Sequence, residues 1–109
     1  MAADKEGIVQ GKILDWLKAN NFWCFKTIVC STNGIMDIIA CSPKGNFVGI
    51  EVKYGIGVPS ELQKQNIEEV KRRGGIAFVA WDLETVIYHL QGELADIKPK
   101  DTPDEEPLL

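Results

Sequence analysis

Three charged residues sit inside stretches that otherwise read as buried strand. Asp37 interrupts Ile35-Met36-Asp37-Ile38-Ile39, and Glu51 and Lys53 lie within Val48-Gly49-Ile50-Glu51-Val52-Lys53. Strand side chains alternate faces, so Glu51 and Lys53 share one face, with Cα atoms roughly 6.6 Å apart, while Val48, Ile50 and Val52 take the other. In a hairpin spanning 35–54, Asp37 comes near the same pair. Two carboxylates and an ammonium on a half-buried face each carry a desolvation cost unless they are paired or bound to an ion. Asp and Glu oxygens without matching His or Cys suit a hard cation, Mg2+ or Mn2+, better than zinc. A structural ion pair between Asp37 and Lys53 is the plainer reading of the same residues.

Two helices point toward the same place. Glu6, Gln10, Ile13 and Leu17 recur at i, i+4, i+7 and i+11, so Glu6 extends a core-facing stripe. Gln63 shares a sector with Ile67, Val70 and Gly74, whereas Gln65 points away, so Gln63 is expected to face the sheet. Each has an ordinary explanation. Ser60-x-x-Gln63 is a capping box, and Glu6 is a first-turn acid favoured by the helix dipole. What favours a shared role is convergence: an acid in the second strand, an acid and a lysine in the third, and a glutamine on the next helix.

The elements that must position these residues follow from pattern and punctuation. Asp4 to Asn20 reads as a helix held by packing, since Gly7 and Gly11 each weaken it by roughly 1 kcal/mol relative to Ala. Phe22 to Val29, rich in aromatic and β-branched residues, reads as a strand. Ser31 to Gly34 is a loop, Ile35 to Cys41 a second strand, Ser42 to Asn46 a turn, and Phe47 to Tyr54 a third strand. A helix opens at Ser60 and runs to Arg73, ended by Gly74-Gly75. Ile76 to Trp81 is wholly apolar, as suits a central strand covered on both faces. Asp82 caps a last helix through Leu90. The order α-β-β-β-α-β-α, with a β-α-β crossover before the fourth strand, predicts an α/β fold with a mixed β-sheet flanked by helices.

The 109 residues suit one domain, and 45% apolar with 26% charged residues is the balance of a globular protein. The net charge of −4 looks unfavourable for a polyanionic partner, but residues 91–109 hold six acidic and two basic side chains, and the other 90 carry ten of each. We therefore expect a domain over 1–90 and a flexible acidic, Pro-containing tail over 91–109. A neutral body neither requires nor excludes a polyanion, because a local patch matters more than the total. The start of the chain lacks the pattern of a secretory signal, and no apolar run is long enough for a membrane span. Three cysteines with no Cys-x-x-Cys pair read as reduced thiols of a cytoplasmic protein.

The pattern Asp37…Glu51-Val52-Lys53…Gly57-x-x-Ser60-x-x-Gln63…Gly74-Gly75 resembles the VRR-NUC (virus-type replication-repair nuclease) branch of the PD-(D/E)xK nuclease superfamily. The resemblance covers roughly residues 4–90. It departs at Met36, where many relatives carry Pro before the Asp. It implies a restriction-endonuclease-like core and a divalent-metal-dependent DNA endonuclease, similar to the Holliday-junction resolvases of phage and DNA-repair systems, acting as a homodimer in a bacterial or phage-infected cell. On that resemblance Asp37, Glu51 and the main-chain carbonyl of Val52 hold Mg2+ or Mn2+, Glu6 reaches it through water or helps hold a second ion, Lys53 serves the nucleophile or the developing charge, and Gln63 bonds water or phosphate.

Lys64, Lys71, Arg72 and Arg73 would then meet DNA phosphates, their alternative being a solvated helix face. Loops with Asn33-Gly34 or Tyr54-Gly55-Ile56-Gly57 offer close backbone approach to DNA. Trp23, in a strand too apolar for a small monomer, is the expected interface anchor. Two other readings compete: a nuclease on flap, nicked or linear DNA or on RNA, and a non-catalytic DNA-binding module that keeps the fold.

Overall fold

Alternating strands of this kind need cover on two faces, and the computed structural model, which describes residues 5–94, supplies it from three helices. The elements are α1 (Lys5–Ala19), β1 (Trp23–Lys26), β2 (Ile38–Cys41), β3 (Phe47–Val52), α2 (Glu61–Arg72), β4 (Ile76–Ala80) and α3 (Leu83–Leu90), followed by one 3-10 turn, Gln91–Glu93. The strands lie in the order β1-β2-β3-β4; the first two pairings are antiparallel and β3–β4 is parallel across the α2 crossover. This is the mixed sheet and element order that the sequence predicts. No helix among the described residues is long and apolar enough to cross a membrane.

Side-chain alternation divides the core between the two faces. Ile38, Ile50 and Phe78 lie in one register row, and with Ala40, Val48, Val52 and Ala80 they pack under Ile13 and Leu17 of α1 and Val86 and Leu90 of α3. The alternate row, Ile39, Gly49 and Ala77, turns to the other face, where Met36 and α2's Ile67 and Val70 cover it. Glu51, paired in register with Val79, belongs to this second face.

The strands differ from the sequence reading in several places: β3 ends at Val52 instead of Tyr54, so Lys53 follows the strand, and two further boundaries move for local reasons. β1 stops at Lys26 instead of Val29: Thr27 gives its N–H to the Asp37 carbonyl and its hydroxyl to the Met36 carbonyl, at 2.8 and 2.9 Å, and Ile28 and Val29 then project into solvent. β2 begins at Ile38 because Asp37 uses its side chain to meet β3. β4 is covered on both faces but is an edge strand, not a central one.

The loop leading into β2 is bound to α2. Gly34 has φ +76°, and a Cβ there would come 2.7 Å from Leu62 Cγ. Asn66 Nδ2 donates to the carbonyls of Asn33 and Gly34 at 3.1 and 2.9 Å. The close backbone approach expected of Asn33-Gly34 is thus made to a helix of the same chain, and it fixes the path by which Asp37 enters the sheet. At the far end of the sheet, Glu93 Oε1 accepts bonds from Ser42 Oγ (2.6 Å) and Asn46 Nδ2 (2.8 Å) in the β2–β3 turn. Packed structure therefore continues past residue 90 to Leu94, which joins the core under α1 and α3. The rest of the expected tail, 95–109, lies outside the described residues.

Candidate functional site

The site begins where β2 is too short for its neighbour. Ile38 pairs with Ile50, so the antiparallel register carried one step further sets Asp37 opposite Glu51. Asp37 Oδ2 accepts the Val52 N–H at 2.9 Å, doing with a side chain what a longer β2 would have done with its backbone. The N–H and C=O of one extended residue point the same way, so the Val52 carbonyl is directed to the Asp37 side as well.

Glu51 is only 1% exposed, and its Oε2 lies 3.2 Å from Lys53 Nζ. Its Oε1 is buried with no hydrogen-bond partner. Burial, reinforced by the charge of Asp37, pushes the Glu51 carboxyl up to about 7 against the lowering pull of Lys53. The lysine thus pairs with Glu51, not with Asp37 as the plainer sequence reading has it. A buried acceptor left without a donor costs roughly 1–3 kcal/mol. Such groups gather where a fold holds charge for a purpose other than its own stability.

The remaining sequence candidates are not drawn into this cluster. Among the described residues no group of three His, Cys, Asp or Glu side chains could hold a metal ion, so Glu6 does not complete a triad with Asp37 and Glu51. Glu6 is half-buried on the first turn of α1. Its neighbour Lys5 holds Nζ 5.9 Å from the centre of the Tyr54 ring, which brings the start of α1 beside the residue that follows Lys53. Gln63 closes the capping box: its Oε1 accepts the Ser60 N–H at 2.8 Å, and its own N–H donates to Ser60 Oγ at 3.1 Å. Its amide N–H2 remains as a donor; its oxygen is committed to the helix start.

The three basic residues of α2 and its C-cap Arg73 are all paired with glutamates of that helix. Lys64 meets Glu61 at 3.0 Å, Lys71 meets Glu68 at 3.4 Å, and Arg72 (2.6 Å) and Arg73 both meet Glu69. Exposed pairs of this kind contribute about 0–1 kcal/mol each, so they lower the local field at little cost if exchanged for another anion. One polar residue was given no role by the sequence reading: Gln10, in the core-facing stripe of α1, is buried with an unpartnered Oε1. Its only signal was an amide where the pattern called for an apolar side chain.

The donors at the strand ends are all oxygens: two carboxylates, one with a free buried oxygen, and a carbonyl aimed the same way. This set fits a hard divalent cation, which would satisfy Glu51 Oε1 and offset the repulsion between the two acids.

The raised Glu51 value has a measurable consequence in the ion-free protein. The folded state holds a proton to about pH 7, whereas the unfolded chain releases it near the ordinary 4.5, so stability falls as pH rises through that window. Glu51→Gln should therefore melt higher than the wild type above pH 7, with the gap closing toward pH 5. A gap that does not change with pH would show that the carboxylate is not desolvated.

Neither a family profile nor a curated protein matches the chain. Two solved structures do. One, described as a VRR_NUC domain, is 26% identical with a TM-score of 0.71, over 82% of this chain and 97% of that one. The other, a VRR_NUC domain protein, has a TM-score of 0.68 over 86% of this chain and 91% of that one; at 21% identity it speaks for the fold alone. Nearly the whole of a solved VRR_NUC domain thus matches this chain, which has the mixed-sheet nuclease fold of those structures.

Proposed function

We propose that this protein is a divalent-metal-dependent endonuclease that hydrolyses phosphodiester bonds in structured DNA, with a Holliday junction as the preferred substrate. The observation that carries this reading is the buried Glu51 carboxylate, opposite Asp37 and beside Lys53, with one oxygen left unpartnered. A module freed from catalysis has no physical need for that arrangement, which disfavours the non-catalytic alternative. Bound Mg2+ or Mn2+, held by Asp37, Glu51 and the Val52 carbonyl with Glu6 contributing through water, would supply a Lewis acid and a water of lowered pKa.

The chain's own groups account for the rest of the chemistry. Asp37 is oriented by the Val52 N–H, so its position does not depend on the substrate. Lys53 Nζ is the positive charge that the fold itself sets beside the acids, suited to stabilising charge that develops on the phosphoryl oxygens or to orienting the attacking water. Gln63, with its oxygen in the cap, can serve the scissile phosphate as a donor through its N–H2. Lys64, Lys71, Arg72 and Arg73 are the proposed phosphate contacts, exchanging helix glutamates for DNA. Contacts of this type hold the duplex without reading sequence.

A second copy of the chain is the protein partner this reading calls for. Trp23 and Phe25 stack edge to face at 5.3 Å on the open edge strand β1, and Ile28 and Val29 beyond them are exposed. Lys26 is the one charged side chain in that strand, so two copies related by a two-fold axis would meet there with little repulsion. Sedimentation should show a dimer that Trp23→Lys converts to a folded monomer; a monomeric wild type contradicts the assignment.

The activity is tested with labelled four-way junction, flap, nicked and linear DNA in Mg2+ or Mn2+. Asp37→Ala or Glu51→Ala should lower turnover at least about 100-fold and leave DNA affinity largely intact. A chelator should abolish cleavage without altering the circular dichroism spectrum. Cleavage that survives either treatment overturns the proposal.

A further inference from the structure

Just past Lys53 the chain makes a tight turn that holds an isoleucine out in solvent. Ile56 is 98% exposed, between Gly55, at φ +64°, and Gly57. The turn is braced from two sides. Gly57 N–H donates to the Tyr54 carbonyl at 3.1 Å, and Trp81 Nε1, at the end of β4, donates to the Gly57 carbonyl at 2.9 Å. It also packs on the site, since a Cβ at Gly57 would lie 3.7 Å from the Lys53 side chain and 3.3 Å from the Tyr54 carbonyl. Val58 and Leu62, next along the chain, are exposed too. The turn is held in place by these bonds, yet its aliphatic tip has no covering partner among the described residues.

We propose that Ile56 is a wedge that inserts between bases where the stacking of substrate DNA is broken. The inference rests on the nuclease reading above and adds to it the device that selects the DNA structure. Three residues of extended chain span at most about 10 Å, so the Ile56 backbone stays within that distance of the Lys53 backbone and the tip is set beside the site. Aliphatic side chains enter base steps by unstacking them, which costs least where a branch, nick or gap has already interrupted the stack. The tip carries no hydrogen-bonding group, so it distinguishes broken from continuous duplex and reads no sequence.

The test compares a four-way junction and a nicked duplex, each with 2-aminopurine at the discontinuity, against a continuous duplex, using Ca2+ in place of Mg2+ to keep the DNA intact. Wild-type protein should raise the probe's fluorescence at the discontinuity. Ile56→Ser should lose that rise and bind the branched DNA about tenfold more weakly, with less than about twofold change on continuous duplex, while Ile56→Leu should keep both. Equal binding and unstacking by Ile56→Ser overturns the wedge and leaves the nuclease reading standing. So does a uniform loss on all three DNAs, or a loss accompanied by a change in oligomeric mass. Wild-type protein that binds none of these DNAs overturns both.

Discussion

The site depends on one unfavourable act, the burial of the Glu51 carboxylate. A carboxylate out of water is tolerated only with compensation, and the fold supplies half of it. Lys53 neutralises one oxygen, the other faces no donor, and the Asp37 charge opposite makes the ionised form harder still to keep. Apolar side chains in the same places would give a more stable sheet. The arrangement makes physical sense as a holder for positive charge that arrives from outside the chain.

Much of the remaining architecture serves to hold Asp37 against Glu51. The β2–β3 register sets them opposite each other, and the shortness of β2 frees the Val52 N–H for the Asp37 side chain. The loop before β2 is clamped to α2 through Gly34, Leu62 and Asn66, so the helix that follows the site also fixes the approach to it. The capping box of Ser60 and Gln63 starts that helix a few residues after Lys53. Local backbone rules and site geometry are here the same set of contacts.

What the sequence revealed was mostly what alternation and periodicity can carry. Charged residues in apolar strands identified Asp37, Glu51 and Lys53, because period-2 alternation assigns faces without knowledge of the fold. Helical periodicity was less decisive. It set Gln63 toward the sheet, but the N-cap two turns before Ile67 claimed its oxygen, a competition between two local rules that spacing alone does not resolve. The basic end of α2 looked like a patch because a count of Lys and Arg does not show the i, i+3 and i, i+4 glutamates that pair with them. Glu93 was assigned to an acidic tail by composition, whereas two specific donors in the distant β2–β3 turn bind it. Contacts between residues some fifty positions apart leave no trace in local pattern.

The family resemblance and the geometry converge on the same three strand residues, and the cation is the link still to be measured. Calorimetric titration with Mn2+ near pH 7, repeated in buffers of different ionisation enthalpy, reads both binding and the protons it displaces. With the Glu51 carboxyl at about 7, the account predicts that binding expels about half a proton per ion, a release that fades above about pH 8 and is absent in Glu51→Gln, whose affinity also falls. Binding of equal strength by Glu51→Gln, or no binding by the wild type, would contradict it.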